Sequence, residues 1–241
     1  MAQMKYDLKI ILETAFLGMV AASLLSGCGG GGGGGGSSTP VTSTQSFPFQ
    51  IGYQALISKG FTKAFTVSGS CVGAGAKAVA AATAGATFEG AAALSYNASL
   101  TMSVTNCVPA VIEQTSTSYY NGNYVPLGFI SAGVFGVYLM LPSIPASVSV
   151  GETAAIGTEN LYTDSTKVTS NGTQVLSYAV QADTTSSAMI DLITQSYNTS
   201  AMLTETEKDF YRIDADGTLT PISTDIQYEN GSTEHLVLTY Y

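Results

Sequence analysis

Tryptophan is absent from the 241 residues, histidine occurs once, and Lys plus Arg number 8 against 17 Asp plus Glu. Each scarcity excludes something. A net charge of −9 with no basic cluster leaves no electrostatic footprint for nucleic acid. One His and three Cys are too few for a Cys/His zinc site, and proton transfer at neutral pH loses its usual side chain. Charged residues make up only 10% against 45% hydrophobic, which excludes the charge-rich composition of disordered chains. The chain therefore has enough apolar surface to bury a core.

Long apolar runs are also scarce. The one that stands out, residues 14–25 (TAFLGMVAASLL), is shorter than the roughly 20 residues a membrane-spanning helix needs. With Lys5 and Lys9 ahead of it, it reads as an export signal, although Asp7 and Glu13 dilute the positive flank. It runs directly into Leu25-Ser26-Gly27-Cys28, an aliphatic residue, two small ones and a cysteine. This sequence resembles the lipobox of bacterial prolipoproteins. The resemblance implies signal peptidase II recognition through Leu25, Ser26 and Gly27, cleavage before Cys28, and acylation of Cys28 (diacylglycerol and palmitate). It also implies, because Gly29 rather than Asp follows, sorting to the outer membrane. Three acyl chains at about 0.8 kcal/mol per buried methylene would make that anchor effectively permanent. Gly29 to Gly36 and the following Ser37-Ser38-Thr39-Pro40-Val41-Thr42-Ser43-Thr44-Gln45 have the composition of a flexible tether. By the coil relation it would hold a domain some 20–25 Å from the membrane. The chain thus divides into a signal at 1–27, a lipidated tether at 28–46 and one domain at 47–241.

Within that domain the dipeptides Asn121-Gly122, Asn171-Gly172, Asp216-Gly217 and Asn230-Gly231 each favour the two positive-φ positions of a type I′ hairpin. Thr, Val, Ile, Tyr and Phe fill the stretches between them with period two. Leu176, Tyr178 and Val180 share one face, and so do Leu236, Leu238 and Tyr240. Segments 47–58, 61–70, 86–107 and 134–141 also read as strands. Ala-rich 74–84 fits a short helix or a loop, and 187–197 fits helix and strand equally. The fold class expected is all-β: an antiparallel β-sandwich or partly closed β-barrel of roughly eight to eleven strands, with room for one short helix.

Once Cys28 is lipidated, Cys71 and Cys107 form an even pair in an oxidising compartment, and a disulfide is the natural assignment. Gly69-Ser70-Cys71-Val72-Gly73 matches a nucleophile elbow in letters only, because β-rich surroundings and a distant His235 do not supply its strand-turn-helix or its base. Asp214-Ala215-Asp216-Gly217 could begin a calcium loop, but no acid stands at the twelfth position, so a hairpin turn is the simpler reading. Glu205, Glu207 and Asp209 read as a solvated, edge-protecting strand. Acid pairs such as Glu159/Asp164 and Asp183/Asp191 offer the two carboxylates of a glycosidase, without Trp for sugar stacking or a motif to fix either acid. Tyr119, Tyr120 and Tyr124 around a hairpin are the candidate binding patch, set against an aromatic cluster at the core edge. No cofactor or metal signature and no nucleophile–base set emerges. The expected protein is a lipid-anchored outer-membrane lipoprotein with its domain in the periplasm or on the cell surface, and with a non-catalytic binding or structural role. Its partners would be the membrane and other envelope proteins. A lipocalin-like carrier of a small apolar ligand is the alternative, and an envelope hydrolase the third reading.

Overall fold

The structure, a computed structural model, describes residues 43–229 and 234–241. The signal, the lipobox with Leu25, Ser26, Gly27 and Cys28, most of the tether and Asn230-Gly231 lie outside the described residues.

Period-two alternation produces strands along most of the chain: β1 (Ser46–Phe47), β2 (Phe61–Gly69), β3 (Val72–Val79), β4 (Thr83–Phe88), β5 (Ala91–Thr105), β6 (Val111–Tyr120), β7 (Pro126–Ser131) and β8 (Val134–Tyr138). There follow β9 (Val148–Ser149), β10 (Thr153–Tyr162), β11 (Ser170–Ala182), β12 (Ser187–Tyr197), β13 (Leu203–Asp214), β14 (Leu219–Tyr228) and β15 (His235–Tyr240). Every pairing is antiparallel between successive strands of the wall, from β2 to β15. Two further pairings close the ring: β15 joins β2 with Tyr240 opposite Phe65, and β3 joins β5 with Val72 opposite Thr105. The result is a closed barrel of twelve strands, with β4 as an extra strand beside the start of β5. Closure leaves no unpaired edge in the ring, and β1 and β9 form a separate two-stranded pair.

In β5 the inward positions are Leu94, Tyr96, Ala98, Leu100, Met102 and Val104, and the outward ones are Ser95, Asn97, Ser99, Thr101, Ser103 and Thr105. In this strand apolar-in, polar-out is the reverse of the alternation in a transmembrane barrel, whose apolar band faces lipid. β4 makes an exception on the outside, where Phe88 stacks on Tyr119 and on Phe135 at 4.6 and 5.3 Å between ring centroids.

The segment expected as a strand at 47–58 is instead mostly helix α1 (Phe49–Lys59). Phe49, Gly52, Tyr53, Leu56 and Ile57 fall at i, i+3, i+4, i+7 and i+8, a helical stripe, and all are buried. Pro48 stands before the first turn, and Gly60 at φ 63° ends the helix with its N–H on the Leu56 carbonyl. α1 lies across one end of the barrel. Gln50 N–H donates to the Ala146 carbonyl, Gln54 Nε2 to the Asn123 carbonyl and Ala82 N–H to the Ile57 carbonyl. A Cβ on Gly52 would stand 2.0 Å from the Gly217 oxygen, so only glycine lets the helix seat on the β13–β14 turn.

Cys71 and Cys107 form the expected disulfide, with Cα atoms 5.7 Å apart, and tie the β2–β3 and β5–β6 turns together at the opposite end. Ala-rich 74–84 supplies β3 and the start of β4, and 187–197 is the strand β12, so the ring exceeds the expected strand number. Asn121-Gly122 and Asp216-Gly217 lie at turns as expected, but not with the two positive-φ positions of a type I′ hairpin: only Gly217, at φ 89°, is left-handed, and in the first turn that conformation falls on Tyr124. Asn171-Gly172 is not at a turn: the β10–β11 turn falls earlier, and Gly172 at φ 116° belongs to a bulge beside Leu161 and Tyr162.

Candidate functional site

The least ordinary chemistry is inside the barrel. Along β13, Glu205, Glu207, Asp209, Tyr211 and Ile213 are buried, while Lys208 and Arg212 are exposed. The carboxylates read from sequence as a solvated edge therefore face inward, where the barrel replaces solvent with its own polar groups. Lys77 of β3 meets them from across the lumen, its Nζ 3.9 Å from Asp209 Oδ1, with both side chains under 5% exposed. Thr224 Oγ1 of β14 donates to Asp209 and lies 2.9 Å from the Tyr240 hydroxyl. Burial alone would push the Lys77 ammonium down, but Asp209, with Tyr240, Glu207 and Tyr96, holds it above the ordinary lysine value. Lys77 is thus a cation at any physiological pH.

Toward the helix end the lining turns aromatic. Tyr53 of α1, Tyr96 of β5, Tyr120 of β6 and Tyr138 of β8 are all buried, with Tyr120 OH donating to Tyr96 OH at 3.3 Å. Burial pushes each of these phenols up, and Glu159 adds to the effect at Tyr138 and Tyr53. They remain neutral hydrogen-bonding groups. On β11 and β12 Gln174 Nε2 donates to Ser196 Oγ at 3.1 Å, also inside. These side chains line a ring wider than the eight strands that side chains alone ordinarily fill, and α1 covers one of its ends.

The residues singled out from sequence are dispersed. Tyr120 is in the interior, Tyr119 stacks on Phe88 outside, and Tyr124 sits in the β6–β7 turn at φ 60°, so the three occupy both faces of the wall and do not form one patch. Glu159 is inside, but Asp164 is an exposed turn acid accepting from Thr166 N–H at 2.8 Å. Asp183 accepts from Ser187 Oγ at 2.7 Å and Arg212 Nε at 2.9 Å, which hold its carboxyl below the usual range. Asp191 lies mid-strand on the outer side; burial pushes it up to about 6 although Gln181 Nε2 donates to it. His235 Nε2 meets Asp225 Oδ1 at 2.9 Å on the outer face, and its backbone N–H donates to Ser70 Oγ at 3.0 Å, so that hydroxyl is engaged by the main chain and not by the imidazole. Asp216 caps its turn by accepting Thr218 N–H at 2.9 Å. Among the described residues no group of three or more His, Cys, Asp or Glu is placed to hold a metal ion.

The described residues include two open depressions on the surface. One of about 640 Å³ runs over the outer side of the wall from β2 to β7, lined by Thr62, Ala78, Asn97, Ser99, Thr115 and Thr117. The other, about 340 Å³, separates α1 from the start of β14 beside Lys59 and Lys63. The first is lined by hydroxyl, amide and apolar groups and the second carries Lys59 and Lys63, and neither lining includes a carboxylate, a histidine or a cysteine.

The fold and its filling define a class: a closed all-β barrel, plugged by a helix and packed with tyrosines around a buried ionic cluster. Comparison with protein-family models, curated proteins and solved structures finds no match to this chain.

Proposed function

We propose that this chain is a lipid-anchored cell-envelope lipoprotein whose barrel is a non-catalytic binding or structural module. One structural observation carries the non-catalytic part. The polar groups that resemble a reaction centre, Lys77 with Glu205, Glu207 and Asp209, are each under 4% exposed and sealed by the barrel wall. Groups so little exposed suit an internal counter-charge network better than a reaction centre. A small apolar ligand in the lumen would have to displace Tyr53 and its tyrosine neighbours. This favours the outer surface and the loops as the binding region. The anchored part rests on Leu25-Ser26-Gly27-Cys28 and the glycine tract that follows, and the water-compatible Ser/Thr outer face of β5 suits a tethered domain beside a membrane.

Replacing Cys28 with Ser tests the anchor. The variant is expected to leave the membrane fraction and lose incorporation of labelled palmitate; unchanged fractionation and labelling would overturn the reading. The native mass of the gently purified protein tests the lumen. A species heavier than the lipidated chain by a small apolar molecule would replace the structural role with the carrier role.

A further inference from the structure

The exposed large hydrophobic side chains include one run of three consecutive residues, at the helix end, whereas Val72, Val108, Val111, Val168 and Met202 are exposed separately toward the disulfide end. Leu139, Met140 and Leu141, which follow β8 directly, are 74%, 81% and 63% exposed. Ile51, on the outer side of α1, is 63% exposed at the same end. Three consecutive apolar residues facing water are costly unless something covers them, since each gives up burial worth about 1.5–3 kcal/mol.

The path of the chain indicates the cover. Ser43 Oγ donates to the Thr185 carbonyl in the β11–β12 turn, and β1 pairs with β9 in the loop that begins with Leu139. Both contacts are at the helix end, so the chain enters the domain there. Cys28 lies fifteen residues upstream of Ser43. If this segment is the coil that its composition predicts, fifteen residues span about 20 Å, less than the length of the barrel strands it would have to pass to present the other end.

We propose that the helix end of the barrel faces the lipid surface, and that Leu139, Met140 and Leu141 insert into its interfacial layer. This inference rests on the lipoprotein reading above. The tether supplies proximity, so the apolar loop needs only a shallow, weak insertion to fix orientation. Proximity turns its partitioning into an intramolecular event at high effective concentration. The disulfide end then points away from the membrane, with the β10–β11 turn and Val168, 85% exposed, at its tip.

Absence of tryptophan makes the test direct. The full lipidated protein carrying Met140→Trp, or Val168→Trp as the control, is reconstituted on vesicles of phosphatidylethanolamine and phosphatidylglycerol. Met140→Trp is expected to show blue-shifted emission that brominated lipid quenches, and Val168→Trp to keep the emission and quenching of a water-exposed indole. Equal, water-like emission from both, with the protein floating with the vesicles, overturns the orientation and leaves the anchor intact. Blue shift without lipid quenching assigns the cover to protein and also overturns it. Failure of the unsubstituted protein to float removes the lipoprotein reading and this inference with it.

Discussion

Removing the Lys77 charge is expected to be the most damaging single change in the barrel that leaves volume nearly constant. Lys77→Met keeps the aliphatic stem but leaves Asp209 facing Glu205 and Glu207 with no cation opposite. At 3.9 Å and an effective dielectric constant near 20, the lost attraction is about 4 kcal/mol, within the range of about 3–5 kcal/mol for breaking a buried pair from one side. In urea unfolding, with a slope of about 2 kcal/mol per molar, the midpoint would fall by about 2 M. Adding Asp209→Asn should recover most of the loss, because the uncompensated charge goes with it. The pH dependence follows from direction. Lys77 is held above its ordinary value, so its contribution is complete below that value and is lost only as pH rises through the still higher folded value. From pH 7 to 9 the deficit of the variant should stay constant. A midpoint shift below about 0.5 M at pH 7, or no recovery in the double variant, would refute the assignment of Lys77 as counter-charge of the interior.

Two further outcomes follow from the same geometry. Asp191 is raised to about 6 by burial, so its charge costs stability that is fully present below the ordinary carboxylate value and declines as pH rises to about 6. Asp191→Asn should therefore stabilise by about 2–3 kcal/mol at pH 7.5 and by almost nothing at pH 4, read from thermal melts across that range; a pH-independent effect would contradict it. Gly52→Ala improves helix propensity yet places a methyl 2.0 Å from the Gly217 oxygen, and overpacking of about 1–3 kcal/mol should win. A melting temperature that rises would show that α1 does not seat on the β13–β14 turn.

What could be read from sequence was the part governed by alternation and by strong turn residues. Leu176, Tyr178 and Val180, and Leu236 and Leu238, line the core as their spacing requires, and the disulfide follows from cysteine parity. α1 was masked because Phe49, Ile51, Tyr53 and Ile57 have high β propensity; the stripe through Gly52 and Leu56, bracketed by Pro48 and Gly60, was the competing signal. β3 was obscured by alanines and glycines, small because two neighbouring strands crowd them rather than because they favour a helix. The ionic interior was legible only as parity. Glu205, Glu207 and Asp209 share it with Tyr211 and Ile213, yet a charge on a strand ordinarily faces water, and the distant partner Lys77 leaves no local pattern. Closure itself depends on β15 meeting β2, which no local motif encodes.

That closure orders the assembly of the molecule in time. A chain delivered from its N-terminus presents β2 first, and the strand that completes its outer side, β15, is the last to arrive. Until then every partly built wall carries two open edges, with Lys77 and the β13 carboxylates on a surface still in contact with water. The ionic cluster is easily hydrated at that stage and becomes dry only when the last pairing forms, so desolvation and ring closure coincide in one late, cooperative step. Truncation of β15 should accordingly give a chain that retains hairpins and fails as a whole.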